Sequence, residues 1–484
     1  MAEPSVLFYS DNGLGLGHLT RQAAIASQSR GAFRPVFLTM SAGYTLLRKM
    51  GMPAEYFPSY GRLGITKRQW EPLLAQRLLE ALQLGGTGVV VVDHVSPPMI
   101  FQDLRDIAPG VRFVWVRRGL WQPGKNAGSL ANSDHFDLVI EPGDLAAPVD
   151  QGATVALRHE TIRTEPVVLT DPAAFLSRDH ARDHLGLPRT GRAVLINLGD
   201  ADPAEIGRFI DHTASVIQEV AADEIHLFAP LHPLHGEEIP RTEGVTMAPV
   251  FPMAPYLNAF DAVVSTSGYN SFHEIVGSGL PAVFIPHRGA SIDDQRRRAE
   301  FAALSGRAHW APEVFDPSLR TSIEQMLRPG EPAIARRTTE ILGGLNGARE
   351  IADILGELAT ESSNSSSTIV GADMVADLNG SDSLWAEAGE RELVIAVEHN
   401  DEQLLDLAQA HVAGAEGSVY LVRDGNPKPL YDRGAIFESV MSREEWTSLG
   451  RSGYSHYLDT RIAGVEERYS TTRTIDPVAA ALPR

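Results

Sequence analysis

Residues 10–22, SDNGLGLGHLTRQ, set Gly13, Gly15 and Gly17 directly ahead of His18. Glycines let a backbone turn sharply and approach a ligand closely. A histidine at the start of the following helix can take a proton, because the positive helix end disfavours imidazolium. The spacing departs from the dinucleotide fingerprint G-x-G-x-x-G, since His18 stands where the third glycine belongs. No acidic residue closes the next strand, VFLTMSAG, to hold a ribose. Two readings stand at this point. The turn presents His18 to a ligand, or His18 merely caps the helix.

A second constellation lies in VVSTSGYNSFHEIVGSGLPAVFIPHRGASIDDQRRRAEF, residues 263–301. A strand ends, TSGYNS turns, and a helix is expected from Ser271 onward. Ser267, Gly268, Asn270 and Ser271 are small or hydrogen-bonding, and a turn of this kind ahead of a helix is an anion site. Glu274 follows Ser271 by three positions, which also fits a plain capping box. The loop HRGASIDDQ then carries Asp293, Asp294 and Gln295 to the same sheet edge, where acid and amide are natural partners for hydroxyl groups. A diphosphate, a ribose diol and a sugar would be served side by side. The arginines of RRRAEF are expected on a solvated helix face.

Elements that position these residues follow from the apolar pattern. SVLFYS (5–10), RPVFLTM (34–40), GVVVVDHVS (88–96), VRFVWVRR (111–118) and FDLVIEPGD (136–144) are short and nearly continuous, as parallel strands buried on both faces should be. RAVLINLGD (192–200), EIHLFAP (224–230), DAVVSTSG (261–268) and PAVFIPHRG (281–289) repeat the pattern. Strand–helix alternation predicts α/β structure: two doubly wound, Rossmann-like parallel-sheet domains, at 1–160 and 161–358. The Ser-rich ATESSNSSSTIVG predicts a flexible linker over 359–384, and a small α/β accessory unit follows at 385–484.

Composition narrows the classes. The chain of 484 residues has a net charge of −20, which disfavours nucleic-acid binding. The charge is uneven: residues 351–484 carry 23 acidic against 10 basic side chains, and this end could dock a protein partner. The absence of cysteine excludes a disulfide framework, thiolate zinc sites and a cysteine nucleophile, and fits a reducing cytoplasm. No signal peptide or 20-residue apolar span is read, so a cytoplasmic location is expected. The stretch YGRLGITKRQWEPLLAQRLL (60–79) reads as a core-packed amphipathic helix, with a peripheral membrane contact as the other reading.

The two motifs, GLGLGHLTR and SGYNSFHEIVGSGLPAVFIPHRGASIDDQRRRAE, resemble the MurG-like, family 28 glycosyltransferases of GT-B architecture. The resemblance covers residues 5–355 and nothing after 370. It implies an inverting transferase with no cofactor and no bound metal, an N-terminal acceptor domain, and a C-terminal domain holding a nucleotide-diphosphate sugar, usually a UDP-sugar. By motif, the turn Ser267–Ser271 would bind the diphosphate, Glu274 the ribose, and Asp294 and Gln295 the sugar. PVFPMAPYL (249–257) would line the base, and Arg163 would reach the phosphates. His18 would be the general base, with Gly13, Gly15 and Gly17 shaping the loop toward phosphate and acceptor. Asp93, at the end of VVVVD, would orient it, and His94 is a rival for either role. Three alternatives remain: a nucleotide-sugar hydrolase, an epimerase, and a non-catalytic nucleotide-sugar-binding scaffold. The acceptor, lipid-linked or otherwise, is left open.

Overall fold

A computed structural model describes residues 3–11, 16–63, 66–199, 203–233, 239–287, 292–328 and 346–364, with five short strands between 393 and 475. Thirteen strands within 5–310 form two parallel sheets. The first has the order β3 (Ala54–Tyr56), β2 (Arg34–Thr39), β1 (Ser5–Ser10), β4 (Thr87–Asp93), β5 (Arg112–Val116), β6 (Leu138–Glu141), β7 (Ile162–Arg163). The second has the order β10 (Val245–Pro249), β9 (Ile225–Leu231), β8 (Arg192–Asn197), β11 (Ala262–Thr266), β12 (Ala282–Ile285), β13 (His309–Trp310).

Side chains alternate across each sheet, and both faces are covered. On one face of the first sheet Leu7, Tyr9, Val90 and Val92 pack with Leu74 and Leu78 of the helix Lys67–Gly85. On the other, Val6, Phe8, Val89 and Val91 pack with Leu19 and Ala23 of the helix Gly17–Ser27. The period-2 split of one uninterrupted apolar run between two cores is what a doubly covered parallel sheet requires. Trp70, Leu73, Leu74, Leu78 and Leu79 are all buried, so the apolar stripe of the helix within residues 60–79 packs into the core, as the first of the two readings expects.

Two domain limits differ from the expected ones. β7 pairs with β6, so residues 162–163 complete the first sheet, beyond the expected limit at 160. The helix Gly347–Asn364 returns to the first domain, where Ala348, Ile351, Ala352, Leu355 and Ala359 are buried in its core. Their spacing puts them on one helical face, and that face covers β4. A Cβ on Gly347 would stand 2.1 Å from the Glu165 carbonyl oxygen, so the helix can start there only from glycine. The first six residues of the expected linker, 359–364, are therefore helical, with Ala359 and Ser362 buried.

β14 (Leu393–Val397), β15 (Val419–Arg423) and β16 (Ser439–Ser442) form a parallel sheet, and β17 (Tyr454–Tyr457) pairs antiparallel with β18 (Arg473–Ile475). The rest of the expected linker, 365–384, lies outside the described residues.

Candidate active site

β1 and β4 end together, with Ser10 opposite Asp93. The chain leaves β1 there and enters the helix Gly17–Ser27, which places His18 above the end of β4. Gly13 and Gly15 lie outside the described residues; Gly17 is the first residue of the helix. His18 caps nothing. Leu16 holds the cap position, and His18 Nδ1 lies 2.6 Å from Asp93 Oδ1. A carboxylate can only accept, so Nδ1 carries the hydrogen and Nε2 keeps a lone pair. His18 is 7% exposed and Asp93 1%. Burial alone would raise the Asp93 carboxyl, but the charges of Arg21 and His18 outweigh it and hold the group down at about 2.

Arg21, one turn on from His18, was not read as functional in the sequence. Its Nε donates to Asp93 Oδ2 at 2.8 Å and its Nη2 to Oδ1 at 2.5 Å. His94 is occupied: Nδ1 accepts from the Ser96 amide at 2.8 Å, and Nε2 lies 2.7 Å from Asp11 Oδ2. Both ring nitrogens of His94 are thus engaged within the loop region.

Across the cleft, the helix of the second motif starts at Tyr269, not Ser271, with Gly268 as its cap and no side-chain cap bond. The capping box between Ser271 and Glu274 does not form. The amides of Tyr269, Asn270 and Ser271 occupy the first turn, where helix geometry provides no internal partner. Asn270 Nδ2 donates to the Gly17 carbonyl at 3.0 Å, tying the two candidate loops together across the domains.

Gly17, His18, Gly268, Asn270, Ser271, Glu274 and Gln295 line one cavity of about 420 Å³, joined by Val250, Phe251, Pro252 and Met253 from the segment expected at the base. The volume lies within the usual range for small-ligand sites. Two expected donor residues are not among its lining. Ser267 is fully buried, and its hydroxyl donates to the Gln295 carbonyl at 2.8 Å. Asp294 caps the helix Gln295–Leu304, accepting from the Arg297 amide at 3.1 Å, with Arg297 Nε 3.2 Å from its second oxygen. The helix start decides this, since the residue just before a helix turns its side chain back onto the first-turn amides. Gln295 does line the cavity, with its Oε1 accepting from the His287 amide at 3.0 Å. Arg163 is exposed on β7 and is not among the lining residues.

Burial pushes the Glu274 carboxyl up to about 7, against an opposing hydrogen bond from the Leu169 backbone. The folded chain therefore holds a proton there that the unfolded chain releases near 4.5. Stability associated with that proton is full below about pH 4.5 and is lost as the pH rises through about 7. Glu274→Gln is expected to match the parent's melting temperature at pH 4.5 and to exceed it at pH 8, as thermal denaturation at the two values would show.

RRRAEF is only partly a solvated face. The Arg296 side chain is 68% exposed, but that of Arg298 is 0%. Arg298 Nε and Nη2 donate to Asp144 Oδ2 at 3.0 and 2.8 Å, Nη2 and Nη1 to Asp293 at 2.7 and 3.0 Å, and Nη1 to the Ser267 carbonyl at 2.7 Å. Asp144 belongs to the first domain, so this arginine pins the second-domain loop across the interface. Backbone bonds reinforce it: Gln122 N donates to Ile292 O at 2.7 Å and Asp294 N to Leu120 O at 2.8 Å.

Residues 228–337 match the model of the glycosyltransferase family 28 C-terminal domain. The sequence is similar to the UDP-N-acetylglucosamine–N-acetylmuramyl-(pentapeptide) pyrophosphoryl-undecaprenol N-acetylglucosamine transferases of Synechococcus elongatus, at 25% identity over 36% of this chain and 49% of that protein, and of Rhodococcus jostii, at 29% over 25% and 31%. The chain thus spans half or less of the length of these two relatives. In structure it is similar to the glycotransferase of kitacinnamycin (TM-score 0.52, 15% identity, 74% of this chain and 100% of that one) and to the glycosyltransferase SnogD from Streptomyces nogalater (0.50, 16%, 74% and 100%). The likeness to the family 28 C-terminal domain thus lies in residues 228–337, the likeness to MurG-type transferases spans half or less of their length, and the two described domains have the GT-B fold.

Proposed function

We propose that the chain transfers a sugar from a nucleotide-diphosphate sugar to a hydroxyl acceptor, with inversion and with His18 as general base. One observation carries this reading: His18, backed by its hydrogen bond to Asp93, and the first turn of the Tyr269 helix line the same cavity. In the proposed step the acceptor oxygen attacks the anomeric carbon and gives its proton to His18 Nε2. The bond from that carbon to the diphosphate breaks, and its electron pair leaves on the phosphate oxygen. Asp93 takes the Nδ1 hydrogen bond and so stabilises the imidazolium. The growing negative charge on the diphosphate faces the positive end of the helix. The scheme therefore calls on no divalent cation or other cofactor.

Glu274 is the proposed ribose contact and Gln295 the proposed sugar contact. The names of the curated relatives support UDP-N-acetylglucosamine as donor and a lipid-linked acceptor. With such an acceptor the protein would work at the cytoplasmic membrane face as a peripheral protein. No helix among the described residues is long and apolar enough to cross a membrane.

The test is to incubate the full chain with UDP-sugars, with and without hydroxyl acceptors that include a polyprenyl-diphosphate sugar. The expected result is a glycoside of inverted configuration, formed only with acceptor, at a rate that EDTA changes by less than about twofold. Free sugar released equally well without acceptor would make the chain a hydrolase. Failure to bind any nucleoside diphosphate would end the proposal.

A further inference from the structure

Arg21 stands where the base and the donor domain meet. Its guanidinium edge forks onto Asp93, and Nη2 also lies 3.2 Å from His18 Nδ1. Its guanidinium carbon lies over the Tyr269 ring, 5.5 Å from the centroid. Tyr269 is the first residue of the donor-domain helix, and its ring is fixed at both ends. The hydroxyl donates to the Gly143 carbonyl at 2.7 Å and accepts from the Val167 amide at 3.0 Å, while the His273 ring packs 4.4 Å away. Arg21 itself is 2% exposed.

We infer that Arg21 is a positioning residue that couples the donor domain to the base: its fork sets the plane in which Asp93 receives His18, and its face rests on Tyr269 of the donor helix. The inference rests on the proposed role of His18. The physical argument has two parts. Arg21 Nη2 and His18 Nδ1 converge on one oxygen, Asp93 Oδ1, at 2.5 and 2.6 Å. A permanent cation this close to the ring opposes imidazolium, so Arg21 favours the neutral, proton-accepting form. A planar guanidinium also keeps its fork only while its face is supported, and that support comes from the other domain.

Other charged groups face His18 as well. Asp93 favours the imidazolium. His94, Arg117 and Arg118 line a small void beside it, with His94 held by Asp11. Glu274, His287 and Asp293 line the larger cavity it shares with the donor domain. Among the described residues, Arg21 is the charged group that touches both the His18–Asp93 pair and Tyr269.

The test follows the His18 imidazole by NMR titration, its signal assigned by loss in His18→Gln. In Arg21→Met the imidazolium should persist about one pH unit higher than in the parent, a roughly tenfold gain in proton affinity. Tyr269→Leu should shift it in the same direction by less, and Tyr269→Phe, which keeps the ring, should not. Arg21→Lys keeps the charge without the fork; it should leave the titration near the parent's while kcat falls about tenfold at an unchanged KM for donor. A parent-like titration in Arg21→Met, or identical behaviour of the two Tyr269 variants, overturns the inference. If Arg21→Met does not fold, Arg21→Lys and the Tyr269 pair decide it. Full activity in His18→Gln would instead remove the base, and the titrations would still report the coupling.

Discussion

His18→Gln is expected to lower kcat by about 100- to 10,000-fold, the range a well-placed general base contributes, with the Kd for UDP changed by less than about twofold. The asymmetry follows from geometry. His18 sits on the first-domain side of the cavity, whereas the helix terminus proposed to hold the diphosphate belongs to the second. Glutamine keeps the length and one hydrogen bond to Asp93 but has no basic nitrogen for the acceptor's proton. Steady-state rates and calorimetric UDP binding on one preparation separate the two effects. A variant within threefold of the parent would show that another group takes the proton. Asp93→Asn is the less clean experiment. It would also leave Arg21, 2% exposed, without its ionic partner, so loss of activity would mix with loss of stability.

The interior of the fold was legible and its margins were not. All nine strands named in the sequence form, because each carries a run of apolar residues that two covered faces demand. The four that escaped, β3, β7, β10 and β13, are the four edges of the two sheets. β7 and β13 are two residues long, and β10 reads VTMAP with its ends partly or fully exposed. An edge strand buries less, so it needs no continuous apolar run. The helix Gly347–Asn364 formed as a helix, but its sequence cannot say which domain its buried face will meet.

The candidate site divides along the same line. His18, Gly268, Asn270, Ser271, Glu274 and Gln295 line one cavity, a juxtaposition the sequence foreshadows because turns and helix starts are local signals. Asp294 and Ser267 were misplaced by small shifts of register. The helix begins at Gln295, which makes Asp294 its cap and leaves Asp293 facing the cavity and Arg298. Arg21 and Arg298 were missed for a different reason. Arg21 meets Asp93 72 positions away, and Arg298 meets Asp144 at 154. An arginine whose partner is that remote in sequence looks like any solvated helix residue until the chain is folded.

Arg298→Met is expected to destabilise the protein by about 3–5 kcal/mol, the usual result of removing one member of a buried ionic cluster. Methionine fills part of the volume but leaves Asp144 and Asp293, each at 4% side-chain exposure, without their strongest partner. Burial disfavours their ionised forms, and Arg298, aided by His273 at Asp144 and Arg118 at Asp293, more than reverses this, holding both carboxyls below their ordinary value. Asp93 behaves likewise, at about 2. All three release protons more readily in the folded chain, so the stability they contribute is full above about pH 4 and is lost as the pH falls toward 2. In Arg298→Met the part owed to Asp144 and Asp293 is gone already at neutral pH, so the acid limb of the stability curve should become shallower. Urea unfolding at pH 7 and pH 3 measures both effects. Adding Asp144→Asn and Asp293→Asn to Arg298→Met should recover part of the loss, because two buried carboxylates deprived of Arg298 cost more than the missing attraction. A triple variant less stable than Arg298→Met would show that the cluster's hydrogen-bond geometry matters more than its charge.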